Sequence, residues 1–181
     1  MASSSKTRTQ VSKTDPSPKT TLSRESILIS EAKKWLGVTE KGGNNKGPEV
    51  EAFQRAVDGK AQGEPWCMSF VQFCLIKTGG DLIARSEHCL TVWNRTDKAQ
   101  RIPEPRSGCL MIWRHKGSDQ GHVAIVEFTG LDGIHTIEGN TAPHRREVTR
   151  EGDGVYQLIR SPKGEGTMEV VGYLWPWKET A

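Results

Sequence analysis

Cys67 stands where a helix is predicted to begin, and this position favours an ionised thiol. Residues 64–67 read EPWC, and Pro65 suits the first turn of a helix because it has no N–H to leave unpaired. A sulfur in that turn lies near unpaired backbone N–H groups and the positive end of the helix dipole, which lower a thiol pKa. Cys67 is therefore a candidate nucleophile. The alternative, a small buried side chain, fits the other three cysteines better.

A thiol nucleophile needs a base, and His122 is the best placed of five histidines. Gly121 precedes it and the apolar run 123–126 follows it, so the imidazole is predicted to stand at the mouth of a strand. From there it can reach the start of a helix packed on the sheet. The other four histidines are more simply interpreted as surface or core residues. They are His88, His115, His135 and His144.

Two polar residues are predicted to face His122 across a hairpin. A turn near residues 130–132 brings His122 roughly opposite residues 138–141. Glu138 and Asn140 are two residues apart, so in an extended strand both point to one face. Either could fix the imidazole tautomer and steady the imidazolium. We choose Glu138 as the direct partner because a carboxylate stabilises the charged form more strongly.

The elements that position these residues fall into two blocks. Apolar residues at helical spacing, with start and stop signals, predict three helices, at residues 23–37, 48–59 and 65–80. Alternating and β-branched runs then predict five strands, at residues 108–113, 122–128, 133–138, 155–159 and 170–174. Helices followed by antiparallel strands indicate the segregated α+β class.

Charge and composition divide the 181-residue chain into a tail and one domain. The net charge is +3, but residues 1–24 hold five basic side chains and one acidic one. We predict a disordered basic Ser/Thr/Lys/Pro tail over residues 1–24 and a single catalytic domain over residues 25–181. The remainder is close to neutral, which argues against nucleic-acid binding. No apolar stretch is long enough for a membrane span, and we expect the domain to carry no secretory signal.

Three segments together resemble the CHAP domain, the cysteine- and histidine-dependent amidohydrolase/peptidase family. They are residues 65–71 (PWCMSFV), 121–126 (GHVAIV) and 136–141 (TIEGNT). The likeness covers roughly residues 26–177. It implies a papain-like α+β fold, with N-terminal helices packed on an antiparallel β-sheet, and cleavage of amide bonds in bacterial peptidoglycan. By position it assigns Cys67 as nucleophile, His122 as base, and Glu138 and Asn140 as orienting groups. We also expect Trp66 to bind substrate.

Two departures from the family pattern bear on these expectations. The first main strand opens with Gly108-Cys109, where many members have Gly-Asp. The loop before the nucleophile carries Asn44 and Asn45 without the acidic cluster that binds calcium in some relatives. We therefore expect no metal and no cofactor.

Two other functions are compatible with these site residues, and they differ in whether the residues are needed. A thiol amidase or transpeptidase acting on a protein substrate would use the same four site residues, whereas a non-catalytic wall-binding module would not need them. A zinc site of His88, Cys89, His115 and His122 matches no ligand spacing. We expect a monomer that is made in the cytoplasm and acts in the periplasm or cell wall after pore- or secretion-dependent delivery, as a phage lysin or a secreted effector. An effector would also need an immunity protein as partner.

Overall fold

The computed structural model describes residues 22–80, 84–143 and 152–177. Within these ranges the chain forms four α-helices, a short 3-10 turn and a six-stranded sheet. The helices are α1 (Arg24–Lys33), α2 (Pro48–Asp58), α3 (Cys67–Lys77) and α4 (Cys89–Arg95). The strands are β1 (Arg101–Ile102), β2 (Leu110–His115), β3 (Gly121–Gly130), β4 (Gly133–Thr141), β5 (Gly154–Arg160) and β6 (Met168–Leu174).

The ends of the first two helices follow from their sequence signals. Ser23 caps α1, where its side chain accepts a hydrogen bond from Ser26 N. Pro48 is the first residue of α2, and Gly59 ends it in the left-handed conformation that favours glycine. Helix α3 begins at Cys67, two residues later than Pro65, so Cys67 still lies in the first turn.

Helix α3 is the centre of the main core. Its residues from Cys67 through Leu75 are all buried, with α1 and α2 packed on one side and strands β3 and β4 on the other. Alternate residues of the strands face this core, among them Leu110, Ile112, Val123 and Ile125. The intervening residues form a smaller cluster on the opposite face of the sheet, so both faces are covered.

The sheet is antiparallel and has the order β1-β6-β2-β3-β4-β5. The β3–β4 hairpin pairs Gly130 with Gly133 and Ile125 with Ile137. This register places the start of β3 beside the end of β4, where the candidate site lies. None of the helices in the described ranges has the length and apolar content needed to cross a membrane.

The structure confirms the predicted α+β class, with N-terminal helices packed on an antiparallel sheet. Two elements were not predicted: the seven-residue helix α4 and the two-residue strand β1. Both are too short to show a clear hydrophobic period. Of the predicted tail, residues 1–21 lie outside the described residues.

Candidate active site

The start of helix α3 is held tightly against strand β4. Gly139 makes this approach possible, because a Cβ atom there would lie 2.7 Å from Phe70 Cβ and 2.9 Å from the Trp66 ring. A larger residue would push the helix away from the strand. The close contact brings Cys67, the first residue of α3, to the end of the sheet that carries His122, Glu138 and Asn140.

The Cys67 sulfur contacts Cys89, His122 and the backbone of Met68. Cys89 Sγ lies 3.6 Å from Cys67 Sγ, and this contact contributes most to holding the pKa of Cys67 well below its ordinary value. Burial opposes the shift, whereas the hydrogen bond and charge of His122 and the backbone of Met68 reinforce it. By contrast, burial raises the pKa of Cys74, and raises that of Cys109 to about 11. Cys67 alone among the four cysteines is favoured as a thiolate.

His122 lies between Cys67 and Glu138. Its Nε2 is 2.9 Å from Glu138 Oε2, which leaves Nδ1 as the ring nitrogen for Cys67. Burial lowers the pKa of His122, but hydrogen bonds and charge from Cys67 and Glu138 outweigh burial and raise the pKa to about 9. The imidazole is therefore protonated at neutral pH, and the buried residues form a thiolate–imidazolium–carboxylate chain.

Glu138 is fixed by a buried arginine. Arg160 Nε donates to Glu138 Oε1 at 2.8 Å and Nη2 donates to Oε2 at 2.7 Å, the two-pronged geometry typical of strong arginine–carboxylate pairs. Thr136 Oγ1 donates to Oε1 at 2.6 Å. Burial raises the pKa of Glu138, but Arg160 and His122 together hold it at about 2. The carboxylate is thus ionised, buried and oriented by side chains of the protein.

Asn140 has a different role from Glu138. With its amide oriented to satisfy both polar groups, Nδ2 donates to Gly152 O at 2.7 Å and Oδ1 accepts from Trp66 N at 3.2 Å. Asn140 has a positive φ of 53°, and the β4–β5 register shifts between Glu138 and Thr141. The strict two-residue alternation predicted for this segment therefore fails at Asn140. Its amide ties the residue before Cys67 to the end of the sheet.

The Trp66 side chain is not where a substrate contact was expected. The indole is 0% exposed and packs against Phe53 in the core. Its Nε1 donates to Glu40 Oε1 at 2.9 Å, so its one polar group is also satisfied. The assignment of Trp66 to substrate binding is corrected here: the large apolar ring fills the core beneath α3, and only its backbone reaches the site.

A cavity of about 530 Å³ opens beside the candidate nucleophile. Its lining includes Cys67, Cys89, His122 and Asn140. Glu64, Glu87 and Asp119 add carboxylates, and His88 and His115 add imidazoles. Cys67, His122 and Asn140 are thus reachable from one opening, which is large enough for a short peptide segment.

Part of the chain that carries this site also matches a known protein family. Residues 59–140 match the CHAP domain. The resemblance stated from the sequence is therefore confirmed, and the CHAP match contains Cys67, His122, Glu138 and Asn140. Members of the CHAP family are generally hydrolases and amidases. No curated protein matches the chain.

The other described histidines form hydrogen bonds with residues outside the Cys67–His122–Glu138 chain. His88 caps α4, where its Nδ1 accepts from Thr91 N, and His135 pairs with Asp132 at the far end of the hairpin. His144 lies outside the described residues. In the ranges that the structure covers, no three His, Cys, Asp or Glu side chains are grouped closely enough to hold a metal ion.

Sequence reasoning missed two members of the site, Arg160 and Cys89. A carboxylate buried in an apolar strand requires a cation, and an arginine on a neighbouring strand can supply it. Arg160 is the last residue of β5 and Arg114 is the last but one of β2, however, and the sequence alone does not choose between them. For Cys89 no comparable signal exists, because helix α4 itself was not predicted.

Proposed function

We propose that this protein is a peptidoglycan hydrolase that cleaves an amide bond through the Cys67 thiolate. The observation that carries the proposal is the buried chain from Cys67 through His122 to Glu138, inside the CHAP match and beside an open cavity. A non-catalytic wall-binding module has no need of a thiolate–imidazolium pair, since forming it requires the burial of several charges.

The reaction begins with attack of the Cys67 thiolate on the carbonyl carbon of the amide. The carbonyl oxygen becomes an oxyanion, which the unpaired backbone N–H groups at the start of α3 can stabilise. His122 gives its proton to the leaving nitrogen as the C–N bond breaks, so an amine departs and a thioester remains on Cys67.

A water molecule completes the cycle. Neutral His122 takes a proton from water as the water oxygen attacks the thioester, and the C–S bond breaks to release a carboxylic acid. Cys67 leaves as a thiolate and His122 is again protonated, which restores the starting ion pair. Glu138 keeps the imidazole in one orientation throughout and stabilises its charged form.

The substrate class is inferred from the CHAP family and from the side chains that line the cavity. Carboxylates and imidazoles line the opening around Cys67, and these groups can form hydrogen bonds with the backbone and polar side chains of a peptide. The proposal is limited to an amide of the wall: the N-acetylmuramoyl–alanine bond, one within the stem peptide and one in the cross-bridge would all undergo the same chemistry.

The test compares two single variants on purified sacculi. Cys67→Ala should release no new amine termini or soluble fragments, as measured by amine labelling and mass spectrometry of the digest. Cys74→Ala is the matched control, since Cys74 is buried in the middle of the same helix. It should retain activity and lose roughly 1–2 kcal/mol of stability.

Three outcomes would refute the proposal in different ways. Release of fragments by Cys67→Ala at the parent rate would remove Cys67 from the reaction. Cleavage of protein substrates but not of sacculi by the parent would show a thiol amidase or transpeptidase of another class. Tight binding to sacculi with no cleavage would show a wall-binding module.

A further inference from the structure

A second cysteine contacts the proposed nucleophile. Cys89 is the first residue of helix α4, and its Sγ lies 3.6 Å from Cys67 Sγ. Both side chains are buried, at 3% and 5% exposure, and both line the same cavity. The two thiols are not bonded to each other, since all four cysteines are free.

The surroundings decide which of the two sulfurs ionises. Cys67 interacts with protonated His122 and with the backbone of Met68, whereas Cys89 gains no such cation. One proton shared between two neighbouring sulfurs will therefore reside on Cys89, and the S–H group can point at the Cys67 sulfur. The contact has one donor and one acceptor, and their identities are fixed by the unequal charge around them.

We propose that the Cys89 thiol donates a hydrogen bond to the Cys67 thiolate and is a positioning residue for the nucleophile. The proposal rests on the nucleophilic role of Cys67 given above. Cys89 keeps its proton through the cycle and takes no part in proton transfer. Its contribution is to favour the ionised form of Cys67 before attack and to hold the sulfur in one orientation.

The electrostatics of the pair agree with this direction of donation. Contact with Cys67 raises the pKa of Cys89 well above its ordinary value, and burial adds to the rise. Across the cavity, the carboxylates of Glu64, Glu87 and Asp119 also face the pair, together with the imidazoles of His88 and His115. Carboxylates disfavour a nearby thiolate, so a low thiolate pKa requires donors as close as Cys89 and His122.

The test measures Cys67 directly and needs no substrate. The parent, Cys89→Ala, Cys89→Ser and the control Cys109→Ala are alkylated with iodoacetamide between pH 5 and 10. The rate at Cys67 is followed by tandem mass spectrometry, which separates Cys67 from Cys74 on their shared peptide. Cys109 is buried in the second core cluster, so its variant removes the same atom away from the site.

We expect Cys89→Ala to raise the thiolate pKa of Cys67 and to move its curve of alkylation rate against pH by about one unit to higher pH, as expected for loss of a hydrogen bond to a charged group. Cys89→Ser should stay close to the parent, because its hydroxyl still donates, and Cys109→Ala should follow the parent curve. Circular dichroism establishes that each variant is folded.

Two results would overturn the proposal. The first is a Cys89→Ala curve that coincides with the parent curve. The second is an equal rise in the Cys67 pKa for Cys89→Ala and Cys89→Ser, which would make side-chain packing rather than hydrogen bonding the cause. A shifted curve in a protein that leaves sacculi intact would uphold the role of Cys89 and refute the proposed substrate instead.

Discussion

Replacement of Arg160 by methionine should cost far more stability than the same change at Arg114. Arg160 is 2% exposed and makes two hydrogen bonds to Glu138 and one to Glu165. Arg114 pairs with Glu169 on the same sheet, but their side chains are 49% and 38% exposed. Methionine keeps most of the length of the side chain, so the comparison isolates the buried ion pair from the exposed one.

The expected loss for Arg160→Met is about 3 kcal/mol. Arg160 and His122 together lower the pKa of Glu138 from 4.5 to about 2, which corresponds to about 3 kcal/mol for the two partners jointly at about 1.4 kcal/mol per pKa unit. Removing one partner of a buried ion pair commonly costs roughly 3–5 kcal/mol, in agreement with that figure. An exposed pair such as Arg114–Glu169 contributes at most about 1 kcal/mol.

Urea unfolding of both variants at pH 7 measures the difference, and a thermal melt gives a second reading. A loss of about 3 kcal/mol corresponds to roughly 6–12 °C in Tm for a domain of this size. Since the folded pKa of Glu138 is depressed, its contribution is complete above pH 4.5 and is lost as the pH falls toward 2. The difference in unfolding free energy between the parent and Arg160→Met should therefore shrink as the pH falls from 4.5 toward 2. Equal losses for Arg160→Met and Arg114→Met at pH 7 would refute this account of Glu138.

Three further predictions concern the pH range, the end of strand β4 and metals. Glu138→Gln should move the alkaline limit of kcat/KM down from about pH 9 toward 6.5, the ordinary pKa of His122, because the imidazolium loses its carboxylate; an unchanged limit in a folded variant would remove Glu138 from that role. Asn140→Ala and Asn140→Gly should both reduce activity without moving the limit, since both lose the bonds to Trp66 and Gly152. Asn140→Ala should also be less stable than Asn140→Gly by about 1 kcal/mol, because glycine tolerates the positive φ of 53°, and equal denaturation midpoints would contradict this. EDTA should leave activity unchanged, whereas a loss restored by calcium would mean that the loop around Asn44 and Asn45 binds a metal.

The main elements of the site could be predicted because each has a local signal. Pro48 and Gly59 mark the two ends of α2, and the alternating runs of β3 and β4 fix a hairpin whose register brings His122 near Glu138. These are short-range features, so the order of residues along the chain is enough to place them. The fold class follows from the same patterns.

The remaining features depend on contacts between distant segments. Arg160 reaches Glu138 from 22 positions along the chain, and Cys89 reaches Cys67 by the same separation. Asn140 departs from the strand alternation because its amide holds the backbone of Trp66, and the Trp66 ring is drawn into the core by Phe53. Hydrophobic periodicity carries no information about such pairs, which are fixed only when the helices and the sheet pack together.

The position of β6 in the sheet bears on how the protein is made. This strand lies between β1 and β2, although every residue assigned to the reaction precedes Met168, where β6 begins. While the ribosome is still adding residues 168–174, β2 has an unpaired edge and the sheet that supports His122 is incomplete. Long-range pairings of this kind form late and leave the nascent chain prone to association. We therefore expect the thiolate–imidazolium pair of Cys67 and His122 to assemble only after β6 has been translated. Until β6 has docked, the cell that synthesises this protein holds an inactive chain.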